Sequence, residues 1–383
     1  MKALAMAQAL AAAFAEAQGF TESSHQNVAL KNVLLRAEKD ALQLTGSNIA
    51  TGYTTLVEAH VGESGALVVP RELADILKTC EGQVSLVVDK DTLQVKAEGF
   101  RGNFKGLPAE DYPLLPSAEK IAGKLQVDAS LLEAALALTT IAVGSDDARI
   151  TSNLLLRFKP ADGKLTLMAT DGYRFSIATI GGLKTTIPDT TDILIPGRSA
   201  VSLRRPLRAL GKDPATLAIT SDGKLLLYGG SISWFASQAQ GTFPNLSPIL
   251  PKEATCMLAM PTGDLLQACK RLQAVARLAK SKKDSSTAFT LDPAAGTLVL
   301  ESSADEAGSG RSVLKPTFGQ GSNAASAHLN IAYLIEALSA VQPLGAATCQ
   351  LAFPPEMTQP ITLTAALSNG PANLMGFAQL AKS

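Results

Sequence analysis

Tryptophan occurs once in these 383 residues and aromatic side chains make up only 5%. Proteins that hold single-stranded nucleic acid by base stacking need aromatic platforms, so that class is disfavoured. Cysteine is also scarce: Cys80, Cys256, Cys269 and Cys349 stand far apart, with no CxxC pair. They read as small buried hydrophobes in a reducing compartment, not as a disulfide frame or a metal cage. The histidines, His25, His60 and His328, show no metal-ligand spacing. GxxxxGK(S/T), HExxH and GxSxG are all missing, which removes the phosphate loop, the zinc-protease helix and the nucleophile elbow. Asp146-Asp147 offers paired carboxylates for Mg²⁺, yet with no positioned base or nucleophile it reads as an exposed loop. No catalytic residue, metal or cofactor is expected, and an enzyme is disfavoured.

Net charge is zero, so no global basic field announces a nucleic-acid partner. The first third carries more acid than base and the middle third the reverse, so any positive surface must be local. No uncharged apolar run is long enough to span a bilayer. The N-terminal MKALAMAQALAAAFAEAQ has the composition of a leader, but its apolar positions suit an amphipathic helix that Glu16 continues. With 46% hydrophobic and 18% charged residues, the chain is globular.

What is present is repetition. VPRELADILKTC from Val69, IPGRSAVSLRRPLRAL from Ile195 and HLNIAYLIEALSAV from His328 are three apolar-periodic stretches, each followed by short strand-like runs. The first two passes close on matching punctuation, GLPAEDYPLLP around Tyr112-Pro113 and GTFPNLSPILP around Phe243-Pro244. A period of about 130 residues suits a whole domain. An earlier helix is expected in each pass, from Met6, from Asp128 as N-cap, and from Pro261. Hairpins follow, with tips such as Asp162-Gly163 and Asp222-Gly223. Consecutive hairpins predict an α+β fold of three antiparallel-sheet, two-helix domains at 1–122, 123–252 and 253–383. Such a chain is built to make a shape.

The helices carry the charge signal. Arg198, Arg204, Arg205 and Arg208 fall on one, and Lys270, Arg271, Arg277 and Lys280 on another, trailing into Lys282 and Lys283. Charge runs are often only a solvated face. Cations gathered on helices while Asp and Glu go elsewhere favour a phosphate-facing surface.

LTLMATDGYRFSIAT, Leu165 to Thr179, with LPAEDYPLLP and TFPNLSPILP, resembles the bacterial DNA polymerase III beta subunit, the DNA sliding clamp, and the order of elements matches along essentially the whole chain. The resemblance implies the DNA clamp fold and a homodimer of head-to-tail crescents closing a six-domain ring around duplex DNA. It implies a processivity factor in the bacterial cytoplasm, associated with the nucleoid and not with a membrane. Its partners would be the DNA polymerase III alpha subunit, the clamp loader, and other polymerases and repair proteins that dock short peptide motifs. A variant paralogue with altered partners and a non-catalytic DNA-metabolism scaffold are the alternatives. A sliding ring is served by loose, sequence-blind phosphate contacts, so zero net charge fits it.

Residue by residue, the resemblance implies a partner-peptide pocket at Thr170, Gly172, Tyr173, Arg174, Phe175, Pro244 and Ile249. Leu374, Met375, Phe377 and Leu380 stand where the family's usual tail, Met-Pro-Met-Arg-Leu-like, is replaced by NLMGFAQLAKS. Tyr173 and Phe175 replace the usual His and Leu, which predicts a more aromatic pocket. Arg149, Arg198, Arg204, Arg205, Lys270, Arg271 and Arg277 would face DNA. Phe104 and Leu278 would join the dimer, with Gly102 standing where a large apolar residue is frequent.

Overall fold

The computed structural model describes residues 1–24, 26–113, 121–146, 148–278, 286–304, 308–368 and 370–380. One element order runs three times. The first pass is β1 (Lys2–Met6), α1 (Ala7–Gln18), β2 (Val33–Glu38), β3 (Ala41–Ser47), β4 (Thr51–Glu63), β5 (Gly65–Val69), α2 (Leu73–Leu77), β6 (Gln83–Asp89), β7 (Thr92–Ala97) and β8 (Phe100–Lys105). The second is β9 (Ile121–Asp128), α3 (Ala129–Thr139), β10 (Asn153–Lys159), β11 (Lys164–Thr170), β12 (Arg174–Ile180), β13 (Thr191–Pro196), α4 (Gly197–Leu210), β14 (Pro214–Thr220), β15 (Lys224–Gly229) and β16 (Ile232–Ser237). The third is β17 (Cys256–Pro261), α5 (Thr262–Ala276), β18 (Ser286–Asp292), β19 (Thr297–Ser303), β20 (Ser309–Leu314), the short β21 (Thr317–Phe318), β22 (Ala325–Asn330), α6 (Ile331–Val341), β23 (Thr348–Phe353), β24 (Ile361–Ala365) and β25 (Ala372–Phe377).

The described residues form two compact units. One holds 1–130, 184–188 and 202–238, the other 131–183, 189–201 and 239–380, so the middle pass is shared between them. In the first unit, strands run β8-β7-β6-β1-β4-β16-β15-β14-β9, with β3 also on β4 and β2 and β5 beyond it. In the second, one sheet runs β13-β10-β11-β12-β25-β24-β23-β17-β21 and another β20-β19-β18-β22. Every ladder is antiparallel, as consecutive hairpins require.

Each pass opens with a strand that the sequence reading lacks. Lys2–Met6 alternates exposed and buried, Ala3 and Ala5 inward, and two alanines mark a strand face weakly against their helix propensity. Asp128 caps as expected, accepting Ser130 N–H at 2.8 Å. The second-pass hairpin tips also agree: Gly163 and Gly223 have φ of 58° and 74°, where a Cβ would strain the turn.

Helices cover one face of each sheet. In the first unit Leu10 and Phe14 of α1 and Leu73 and Leu77 of α2 pack on Leu35, Leu42 and Leu44 of the strands below. Each such side chain stabilises the fold by about 1.5–3 kcal/mol on burial. The contact is close at one point: a Cβ at Gly46 would collide with the carbonyl of Ala17 at the end of α1. Only glycine lets helix and strand backbones meet there.

Candidate partner-binding and DNA-facing surfaces

The second unit's outer face carries a registered apolar row. Leu194 lies opposite Leu155, Leu155 opposite Met168, Met168 opposite Ile177, and Ile177 opposite Leu374. Cross-strand partners project to one side of a sheet, so these side chains form a stripe across five strands. Phe243, Leu246 and Leu250, from the segment after β16, pack on it. Pro244 stays exposed beside them and Ile249 is 45% exposed, leaving apolar surface at the strap's edge.

Next along the face, Phe175 is opposite Thr170 on one side and Gly376 on the other. A side chain at Gly376 would overlap the Phe175 ring, which therefore lies flat over β25 and is only 2% exposed. The β11–β12 turn is tightly bonded. Thr170 Oγ1 donates to the Arg174 carbonyl at 2.7 Å and accepts Gly172 N–H at 3.1 Å. Asp171 Oδ1 accepts from Tyr173 N–H at 2.9 Å and Arg174 N–H at 3.0 Å. Gly172 holds φ of 92°, a conformation that favours glycine, and Tyr173 stands 64% exposed at the tip.

The structure separates the other expected pocket residues. Strand alternation turns Met375 and Phe377 to the opposite, helix-covered face, where they are 0% and 2% exposed, while Leu374 stays on the apolar row. Arg174 is opposite Phe377 and goes with it, so it is no rim to the apolar row. Its guanidinium donates to Asp171 Oδ2 at 3.0 Å and to Glu336 Oε2 at 2.6 Å, and lies 4.3 Å from the Tyr333 ring centre. It thereby ties the turn to α6. Burial, reinforced by the Asp171 charge, raises the Tyr333 hydroxyl pKa. Leu380 is half-buried and its N–H reaches the His328 carbonyl at 2.8 Å, away from the row.

Sequence reasoning missed Leu155, Met168, Ile177, Leu194, Phe243, Leu246 and Leu250. The signal for the floor was there: counting outward from the turn at Pro160–Asp162 pairs Leu155 with Met168. The strap offers no such ruler.

The cations fall where helical periodicity sends them. On α4, Arg198, Arg205 and Arg208 follow one exposed stripe, with Arg204 half-buried beside it. Arg205 Nε is paired with Glu16 Oε1 at 2.6 Å. Glu16 is largely covered, and burial outweighs the arginine's pull, leaving its carboxyl pKa raised. On α5, Lys270, Arg271 and Arg277 share an exposed stripe, and Arg271 donates to Gln267 Oε1 at 3.3 Å. Arg149 sits on a loop, not a helix, with Asp146 at 3.1 Å. Lys280, Lys282, Lys283, His25 and Asp147 lie outside the described residues. Among those described, no group of histidine, cysteine and carboxylate side chains is arranged to hold a metal. Cys256, Cys269 and Cys349 are buried as expected and Cys80 is half-buried; burial pushes Cys269 up to about 12.

Among the strands at sheet edges, β8 pairs with β7 alone and β20 with β19 alone. Phe104 is half-buried against the core beneath β8, and a side chain at Gly102 would meet the rings of Phe100 and Phe104. Those rings fill the space a larger residue would take. Leu278, just past α5, is 58% exposed.

Residues 1–116 match the DNA polymerase III beta subunit N-terminal domain and 126–245 its central domain, together well over half of the chain. The beta sliding clamp homolog GriR of Streptomyces muensis is 29% identical over 276 residues, 71% of this chain and 70% of that protein. The beta sliding clamp of Synechococcus elongatus is 27% identical over 319 residues, 82% of each chain. The Pseudomonas aeruginosa DnaN sliding clamp bound to griselimycin superposes with a TM-score of 0.88 at 20% identity, each chain wholly covered. The Bacillus subtilis clamp gives 0.87 at 18% identity, again over both whole chains. No described helix is long and apolar enough to cross a membrane. Family models over the first two passes and whole-chain likeness of fold lead to one conclusion: the chain belongs to the DNA polymerase III beta subunit family and is a DNA sliding clamp, a non-catalytic partner of DNA and DNA polymerase.

Proposed function

We propose that three domains, 1–122, 123–252 and 253–383, make half of a ring, and that two chains close head to tail around duplex DNA in the bacterial cytoplasm. The observation that carries this is a pairing pattern with one gap. The first-pass β4 pairs with the second-pass β16, and the second-pass β12 with the third-pass β25. By the same rule the third-pass β20 needs the last strand of another pass, and β8 is the one left. Unpaired edges invite a partner strand. Phe104 beneath β8 and the exposed Leu278 after α5 supply apolar contact for such a joint. Arg149, Arg198, Arg204, Arg205, Lys270, Arg271 and Arg277 then meet phosphates without reading bases, with Glu16 paired to Arg205 and Asp146 to Arg149.

The outer apolar row of the second unit, with Ile249, Pro244 and Tyr173 at its exposed margin, is the peptide-docking surface in this reading. It would serve the DNA polymerase III alpha subunit, the clamp loader, and other polymerases and repair proteins. Griselimycin bound to the Pseudomonas aeruginosa clamp supports a site of this kind. The test has two readouts. The protein should stay on nicked circular DNA and run off once the circle is linearised; loss indifferent to DNA ends sinks the ring. Ile249→Asp should abolish capture of a polymerase-derived peptide and leave dimer and melting unchanged, because Ile249 is exposed. Binding that survives this change rejects the docking surface.

A further inference from the structure

The first unit holds the same site in different chemistry. Register places Val68 opposite Leu34, Leu34 opposite Thr45, Thr45 opposite Thr54, and Thr54 opposite Ser233. These positions match Leu194, Leu155, Met168, Ile177 and Leu374 one for one, counted from the prolines Pro70 and Pro196 that follow β5 and end β13. Where the second unit has aliphatic side chains, the first has hydroxyls at three of the five positions. Tyr112-Pro113 of the first closure segment stands where Phe243-Pro244 stands in the second. A groove of about 670 Å³ opens between Tyr112 and Ala109 on one side and Leu226 and Phe235 on the other.

We propose that this groove is a second peptide site, for short extended segments rich in hydroxyl or amide side chains and carrying Lys or Arg. The floor hydroxyls of Thr45 and Thr54 bond each other at 2.9 Å, and the exposed Ser233 and half-buried Gln43 extend the polar surface. An apolar side chain seated over Ser233 and Gln43 would strip water from them without returning hydrogen bonds. The charges select the sign. Arg36 is paired with Glu38 at 3.2 Å, whereas the exposed Glu110 has no ion-pair partner among the described residues. A cation completes that mouth, and a phosphorylated or acidic segment is repelled by it.

A phage-displayed library of short random peptides, panned on the intact protein, tests this. Labelled copies of enriched peptides are then titrated by fluorescence anisotropy against wild type, Ser233→Trp, Glu110→Lys and Ile249→Asp. One enriched set should be basic and polar, lose about tenfold or more in affinity with either groove variant, and ignore Ile249→Asp. Melting curves check that Ser233→Trp folds, and Glu110→Lys, on an exposed turn, stands independently of it. If no enriched peptide responds to the groove variants, the site is rejected. If responders to Ser233→Trp are apolar and indifferent to Glu110→Lys, its chemistry is rejected. Failure of the docking surface on the other unit shows separately, as the absence of any enriched peptide weakened by Ile249→Asp.

Discussion

Leu194, Leu155, Met168, Ile177 and Leu374 occupy in one unit the registered positions that Val68, Leu34, Thr45, Thr54 and Ser233 occupy in the other. The backbone bonding repeats too: Ser47 Oγ donates to the Thr51 carbonyl at 3.1 Å, as Thr170 does to Arg174. The third pass fills its matching positions with His328, Ala288, Glu301 and Arg311, the last two ion-paired at 3.1 Å. Fold and surface are thus specified separately. Inward residues keep the repeat, and outward residues are free to diverge into apolar, hydroxylic and ionic faces.

One device survives the divergence in mirror image. Phe175 of β12 covers Gly376 of β25, and Phe235 of β16 covers Gly52 of β4. Ring and glycine have exchanged strands, but each joint has one of each. The largest expected effects are therefore Phe175→Ala and Phe235→Ala, each costing about 3–5 kcal/mol. Trp234, the sole tryptophan, neighbours Phe235, so its fluorescence on denaturation reports the second change. An unmoved midpoint would show that the ring is decoration and the comparison superficial. These numbers also disqualify Phe175→Asp as a binding test, since it would unfold the surface it probes.

The hydroxyl row gives a finer contrast. Thr45→Val strands the Thr54 hydroxyl in a buried setting and should cost about 1–3 kcal/mol, whereas adding Thr54→Val should recover part of that loss. A double-mutant cycle by chemical denaturation reads the coupling, and simple additivity would mean that the 2.9 Å contact carries nothing. In the other row, Met168→Thr places a lone hydroxyl among aliphatics and should lose about 1–3 kcal/mol, together with affinity for apolar peptides.

Much of this architecture was legible before any coordinates. The helices of each pass, the tips at Gly163 and Gly223 and the Asp128 cap follow from periodicity and turn chemistry. The opening strands did not show, because Ala3 and Ala5 announce helix as readily as a buried strand face. Nor did the assignment of faces on β25: Leu374, Met375 and Phe377 are all apolar, and only register tells which two turn toward the helices. Most of the pocket floor hid for a related reason, since Leu155 and Leu194 read as core in any sheet.

The helical faces repeat the contrast in charge. Arg205 in the first unit is held by Glu16, while Lys270 in the second has no carboxylate against it among the described residues. Lys270→Ala should lower the salt dependence of DNA binding by about one unit of log–log slope, and Arg205→Ala by less. Glu16→Gln then separates pairing from position. The Glu16 pKa is raised in the folded protein, so the folded state holds that proton more tightly than the unfolded chain does. Its contribution is therefore favourable in acid and lost as pH rises through the folded pKa. Glu16→Gln removes that loss: its stability relative to wild type should climb with pH across the carboxylate range and then level off. The same change frees the Arg205 guanidinium and should strengthen DNA binding modestly at low salt. A relative stability that falls with rising pH would mean that the arginine's pull outweighs burial, and that the pair stabilises this helix face instead of muting its charge.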